Sequence, residues 1–326
     1  MDWQGVRPHN AVLSPMSSPT VPARLTMGPL EWILLFTLGA LWGTSFVLSK
    51  VALRELPPFT LVFVRLTLTS LLLYAWLRAN GVPLRQPASA WRAFLVMGFL
   101  NILVPYVFTA WGQMRLPAGL ASIMTSSTPL FTVLFAHFLT RDERMTLRKV
   151  AGVLLGMSGV AFIIGYDAVR GADTNVIAHA SLTGAAIVLA LAGIYGRRLR
   201  EIPPAVSATG QCICASLITL PVSLVVDQPW TLQFPGAQTW TMVVLLAVFG
   251  TAVAYLIYFR VLASAGSTNL LLVTLIIPVT ALLCGAIFLG EVIETRQYMG
   301  MVMIVVGLAV IDGRAWALAR DRLLTT

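Results

Sequence analysis

The chain has 326 residues, 58% of them apolar and 11% charged, with a mean hydropathy of +0.84. Soluble domains carry about 25% charged residues, so a water-soluble globule is excluded and the chain reads as a polytopic membrane protein. The formal net charge of +9 does not point to nucleic acid, because the basic residues are spread through short loops. Cys212 and Cys214 share one apolar run and Cys284 lies in another; they read as small packing residues with no disulfide framework.

Residues 1–29 are polar, rich in Pro and Ser, and lack the short apolar run of a secretory signal. They are expected to form a disordered cytoplasmic tail, with Met27 as an alternative start. Apolar stretches near the length that crosses about 30 Å of hydrocarbon follow at about 31–51, 59–78, 91–113, 117–139, 148–166, 179–197, 204–226, 239–260, 267–290 and 297–313. The alternating pattern of a membrane β-strand is absent, so the expected fold is all-α and integral to the membrane, with ten transmembrane helices. Residues 167–178 form a linker between 30–166 and 179–313, and a basic cytoplasmic tail, 314–326, ends the chain.

The two halves repeat. Tyr106 and Tyr255, and Pro129 and Pro278, are separated by 149 residues (255−106, 278−129). Glu143 and Glu291, Gly152 and Gly300, and Gly159 and Gly307 are separated by 148 (291−143, 300−152, 307−159), so one deletion aligns five pairs in order. Lysine and arginine set the orientation. Arg65 aside, sixteen of the 22 fall on the side of the N-terminus and five (Lys50, Arg54, Arg115, Arg170 and Arg296) on the other, which makes both termini cytoplasmic. Five helices per half is an odd number, so the second repeat is expected upside down, the inverted topology of many secondary transporters.

The sequence resembles the drug/metabolite transporter superfamily, specifically its ten-helix proteins with two EamA domains. The resemblance rests on Leu41-Trp42-Gly43-Thr44-Ser45-Phe46, Arg65, Ser127-Thr128-Pro129-Leu130, Asp142-Glu143-Arg144, Gly152 and Gly159. The second half adds Ile277-Pro278-Val279, Leu289-Gly290-Glu291, Gly300 and Gly307. The likeness covers the chain from about Leu30 to Asp312. It implies an inner-membrane carrier, often an exporter of amino acids or other small metabolites, holding its substrate between the halves. One departure stands out: the sixth stretch lacks the tryptophan of the first, which puts a symmetric lining by these two helices in doubt.

Several polar residues at membrane depth are candidate substrate contacts. Arg65 is the one formal charge well inside an apolar stretch; it either meets an anionic group of the substrate or snorkels toward the nearer helix end. Ser122, Ser126 and Pro129 share a helix face, with Thr125 beside it, either lining a cavity or bonding between helices. The matching stretch of the second repeat holds Ser267, Asn269, Thr274 and Pro278. Tyr106 and Tyr255 occupy matching positions, Asn101 shares a face with Pro105 and Phe108, and Thr251 and Tyr258 share one with Tyr255. Trp42 and Ser45 complete the candidate site. Gly152, Gly156 and Gly159 form a packing stripe, within the monomer or between two copies of a homodimer. His137 lacks a second ligand on its face, so no metal site is expected, nor any cofactor. Glu143 and Glu291 read as structural or gating ion pairs.

No aspartate or glutamate lies mid-stretch, so proton coupling rests on the family resemblance, and a facilitator stays open. The competing class, a membrane-embedded enzyme of lipid metabolism, would need a nucleophile with a base, a metal-ligand set or paired carboxylates; no such constellation appears, so no catalytic residue is assigned. A lipid or drug carrier of the same superfamily is a further alternative. Expected partners are a small-molecule substrate and the lipid bilayer, with no nucleic acid.

Overall fold

A computed structural model of the chain describes residues 27–139, 146–169, 173–199, 201–270, 272–292 and 294–312, and every regular element among them is helical. Prolines open several helices, where a missing amide removes no hydrogen bond. α1 (Pro29–Ala52) starts this way, and the Glu31 carboxylate accepts the Gly28 amide at 3.0 Å. α2 (Pro58–Ala79) follows the Pro57-Pro58 turn. α3 (Ala88–Met97) passes through a π-helical stretch, Gly98–Leu103, into α4 (Val104–Arg115). α5 (Ala118–Thr125) and α6 (Thr128–Leu139) are divided at Ser126-Ser127, with Pro129 in the first turn of α6. α7 (Leu147–Val169) ends the first half.

α8 (Asp173–Tyr195) ends in a 3-10 turn, and α9 (Pro204–Val222) runs into a π turn, Ser223–Asp227. α10 (Ala237–Ala247) continues through a second π stretch, Val248–Val253, into α11 (Ala254–Leu270), and α12 (Val273–Leu289) and α13 (Thr295–Asp312) complete the bundle. Matching α–π–α interruptions therefore occur in the third and eighth apolar stretches.

Among the described residues, eight continuous helical segments are long and apolar enough to cross a membrane, and there are two shorter apolar helices, Val273–Leu289 and Thr295–Ile311. All ten expected stretches contain helix. Gly266 (φ 80°, ψ 167°) is non-helical and divides α11, so the eighth stretch closes there, and α12 follows a short helical piece, 267–270, in line with the expected start near 267. The 17 residues of α12 rise only about 25 Å, which is why it falls short of a full span. Helix also enters the expected linker, since α7 reaches Val169 and α8 starts at Asp173. Glu143 and most of both tails lie outside the described residues.

The helices pair through close packing. α1 lies on α12, α4 on α8, α2 on α9 and α7 on α13. α7 and α13 cross where glycine is required. A Cβ on Gly152 would sit 2.6 Å from the Gly307 carbonyl, one on Gly307 2.6 Å from the Gly152 carbonyl, and one on Gly159 2.7 Å from the Gly300 carbonyl. The pairs 152–307 and 159–300 run in opposite chain directions, so the two helices are antiparallel. The glycine stripe is thus occupied inside the monomer. A core of Leu120, Ile123, Met124, Leu130, Leu182, Leu282 and Ile304 adjoins that crossing.

Three carboxylates gather at the end of the bundle where α1 meets α2. Asp227 Oδ2 accepts the Thr60 amide (2.6 Å) and hydroxyl (2.9 Å). Glu55 accepts the Gly236 amide at the start of α10 (2.7 Å). Glu291 accepts the amides of Ala118 and Gly119 at the start of α5 (2.7 and 3.2 Å). Each joins a residue before the expected linker to one after it, and each puts negative charge at or near the positive end of a helix. Gly290 (φ 65°) makes the third possible, because its left-handed turn ends α12 and swings Glu291 back over α5. Lys50 completes the cluster: its ammonium donates to the carbonyls of Gln113 and Leu116, the latter at 2.9 Å, with Glu291 close enough to act on its charge. At the opposite end Glu31 bonds only within its own helix start, and Glu201 is exposed.

Candidate functional site

The polar residues that converge most closely do so where α2, α4, α9 and α11 meet. The Arg65 guanidinium lies over the Tyr106 ring, 4.2 Å from its centroid. Its Nε donates to the Thr251 hydroxyl at 2.9 Å, and Nη2 reaches the Gly250 carbonyl at 3.4 Å. Thr251 and Gly250 belong to the π stretch before α11, and the Thr251 hydroxyl also bonds the carbonyl of Leu246, five residues back (3.1 Å). Single π turns often mark functional sites because they turn side chains and carbonyls out of α-helical register. Tyr106 and Tyr255 both pack against one buried cluster that includes Leu66, Leu103, Val107 and Cys212. The Phe259 ring stacks on Tyr255 with 5.9 Å between centroids.

Tyr106 and Tyr255 are also counterparts at the 149-residue offset, and a second such pair, Thr67 and Ser216, shares a hydroxyl–hydroxyl hydrogen bond of 2.7 Å. The charge of Arg65, two residues from Thr67, therefore sits close to where matching positions of the two family-like halves meet. An isolated arginine at membrane depth costs roughly 2.5–3.5 kcal/mol on insertion scales, and here the hydroxyl, the carbonyl and the ring offset part of that cost without neutralising it.

The remaining candidates lie at varying remove. Ser45 is buried, donates to Leu41 O (2.7 Å), and packs against Gly250, where an added Cβ would come within 2.4 Å of its hydroxyl. Trp42, one turn away, faces Tyr258 with ring centroids 5.7 Å apart. Asn101, in the first π stretch, turns toward α9: its amide donates to Gln211 (3.2 Å), which donates to Ser207 (2.9 Å). Ser122 and Thr125 spend their hydroxyls on carbonyls of their own helix, at 2.6 Å to Gly119 and 2.9 Å to Ala121. Ser126 is buried at the break between α5 and α6. Asn269 bonds Ala265 O (2.8 Å), and Thr274 is half-buried in the first turn of α12. None of these last five residues has a described contact with Arg65.

Four contributors escaped the sequence reading. Thr251 was visible only as a neighbour of Tyr255 on one face, and Cys212 read as packing. Gln211 and Ser207 carried no pattern of their own. Among the described residues no group of three or more His, Cys, Asp or Glu is arranged to hold a metal ion.

The family model for the EamA-like transporter family matches this chain twice, over residues 30–165 and 177–312. The chain is 28% identical over 292 residues to the uncharacterized transporter YvbV of Bacillus subtilis, covering 87% of this chain and 92% of the relative. It is 25% identical over 295 residues to a probable amino-acid metabolite efflux pump of Escherichia coli, covering 88% and 96%. It is 26% identical over 291 residues to a chloroplastic WAT1-related protein of Arabidopsis thaliana, covering 87% and 69%. Its fold is similar to that of a solved crystal structure, with a TM-score of 0.64 at 23% identity over 86% of this chain and 97% of the other. Two family matches spanning most of the chain, on a bundle of membrane-length helices, make it a multi-pass membrane protein that belongs to the EamA-like transporter family.

Proposed function

We propose that the protein is a secondary transporter that exports small metabolites, amino acids among them, across the cytoplasmic membrane by alternating access, with both termini cytoplasmic. The observation that carries this reading is the convergence of Arg65 with Tyr106 and Thr251, beside the hydrogen bond that joins Thr67 and Ser216 at matching positions of the two halves. A polar site between two related halves is what a carrier needs, because rocking of the halves exposes one site to either side in turn. The probable efflux-pump relative supports export and a metabolite substrate.

The halves, 30–166 and 179–313, form an inverted pair of five helices each. Their packing supports this: α1 lies on α12 as α8 lies on α5 and α6, and α8 lies on α4 as α1 lies on α10 and α11. The antiparallel crossing of α7 and α13, with Gly152–Gly307 exchanging for Gly159–Gly300, is what an inverted repeat requires. The basic loops assign the carboxylate cluster to the outer face. There Glu55, Asp227 and Glu291 tie the halves together, so this conformation is closed outward, and outward opening breaks those ties.

Uptake into proteoliposomes of a panel of radiolabelled amino acids and amphipathic cations, with and without an imposed pH gradient, tests the reading. Protein-dependent uptake that collapses in Tyr255→Ala and Arg65→Ala supports it. Leakage independent of the protein across the whole panel, with folded and oriented protein, refutes it.

A further inference from the structure

Among the described residues, Arg65 has donors to spare and no acid to meet them. A guanidinium carries five N–H donors in a planar fork; Thr251 and the Gly250 carbonyl engage one each, which leaves three. Its other close contact is the face of Tyr106. Among the described residues no carboxylate pairs with Arg65, and every aspartate and glutamate lies in a loop or within about a turn of a helix end. Asp227 is taken up by Thr60, and Glu291 by the start of α5. Both sit at the bundle end, not in the site. The site thus holds one positive charge in a low-dielectric setting without a counter-charge.

From this we infer that the substrate itself supplies the missing charge: the site selects small carboxylic acids of net charge −1, bound through the carboxylate to the free edge of the Arg65 guanidinium, over zwitterionic amino acids of the same shape. This inference rests on the carrier reading above and narrows its substrate class. A carboxylate accepts two parallel N–H bonds from such a fork. An α-ammonium group brought in beside it would add a second cation where no acid receives it. The Trp42 and Tyr258 rings offer an ammonium only a ring face, which is weaker than an ion pair. Inserting a net-neutral zwitterion leaves the site at +1, whereas a monocarboxylate leaves it neutral.

The test compares ligands that share an apolar tail and differ in which charged groups they carry: 3-phenylpropionate, phenylalanine and phenethylamine, and in parallel 4-methylvalerate, leucine and isoamylamine. Binding is measured with the full-length protein in nanodiscs, and uptake separately in proteoliposomes. The expected order in each set is monocarboxylate, then amino acid, then amine, with about tenfold or more between the first two. Arg65→Gln is expected to abolish that preference. Arg65→Lys, which keeps the charge and loses the fork, should retain the order with a smaller ratio. The wild-type comparison stands without any variant should one fail to fold. Equal or tighter binding of the amino acids overturns the inference, as does absence of binding by all six. If the amino acids are then taken up in a protein-dependent way, the carrier reading survives that failure; if no compound is taken up, both fall.

Discussion

Glu291→Gln is the substitution that most directly probes the proposed closure of the carboxylate end of the bundle. The carboxylate accepts two backbone amides at the start of α5, at 2.7 and 3.2 Å, where the helix dipole also favours negative charge, and it lies near the Lys50 ammonium. Glutamine keeps the shape and one acceptor oxygen but removes the charge. Hydrogen bonds to charged groups contribute roughly 1.5–3 kcal/mol and neutral ones about 1, so the substitution weakens the tie by about 1–2 kcal/mol. If the tie exists only in the outward-closed state, that change shifts the ratio of closed to open conformers about 5- to 30-fold toward open, at about 1.4 kcal/mol per factor of ten. Spin labels at Arg115→Cys and Thr295→Cys, exposed positions flanking the tie, would read the shift as a longer-distance population in double electron–electron resonance, with Cys212, Cys214 and Cys284 replaced by alanine. An unchanged distance distribution in folded protein would refute the assignment of Glu291 as a latch.

Glu55→Gln, which touches Gly236 at an exposed site, is expected to move the same equilibrium by less than about threefold, because exposed charge interactions are screened; a shift as large as that of Glu291→Gln would contradict this ranking. Gly152→Ala drives a methyl group into the Gly307 carbonyl and is expected to destabilise by about 1–3 kcal/mol, lowering the melting temperature in detergent by several degrees. Gly193→Ala, with nothing within 4 Å of the new methyl group, should leave it unchanged or raise it; equal losses from the two would remove the close-packing explanation. A double-mutant cycle on Thr67→Val and Ser216→Ala is expected to return a coupling of about 0.6–1.7 kcal/mol in thermal melts, and additivity would mean that the hydroxyls do not interact between α2 and α9.

The sequence made the helices and the repeat legible because both rest on long-range regularities: apolar runs of membrane length, and landmark residues at a fixed offset. Tyr106 and Tyr255 could be paired from those offsets, but that both pack on one cluster beside Arg65 could not, since that depends on how α2, α4, α9 and α11 come together. Thr67 and Ser216 touch, yet a Thr–Ser match in an apolar, hydroxyl-rich chain carries no signal. The π stretches at Gly98–Leu103 and Val248–Val253 were invisible because one extra residue in a turn barely alters apolar periodicity. Those stretches turn Asn101 toward α9 and Thr251 toward Arg65. The hydroxyls of Ser122 and Thr125 show the opposite case: side chains that share a helix face still satisfy themselves on their own backbone when no cross-helix partner lies close enough.

Solute counterflow tests the central claim, a single site exposed alternately to the two sides of the membrane, most directly. Proteoliposomes preloaded with an excess of an unlabelled transported solute are diluted into a trace of the same solute bearing a label. Alternating access predicts a transient accumulation of label above its equilibrium level, absent in Arg65→Ala vesicles. Label that rises only to equilibrium, at a rate indifferent to the preload, would mean a pore and would contradict the account.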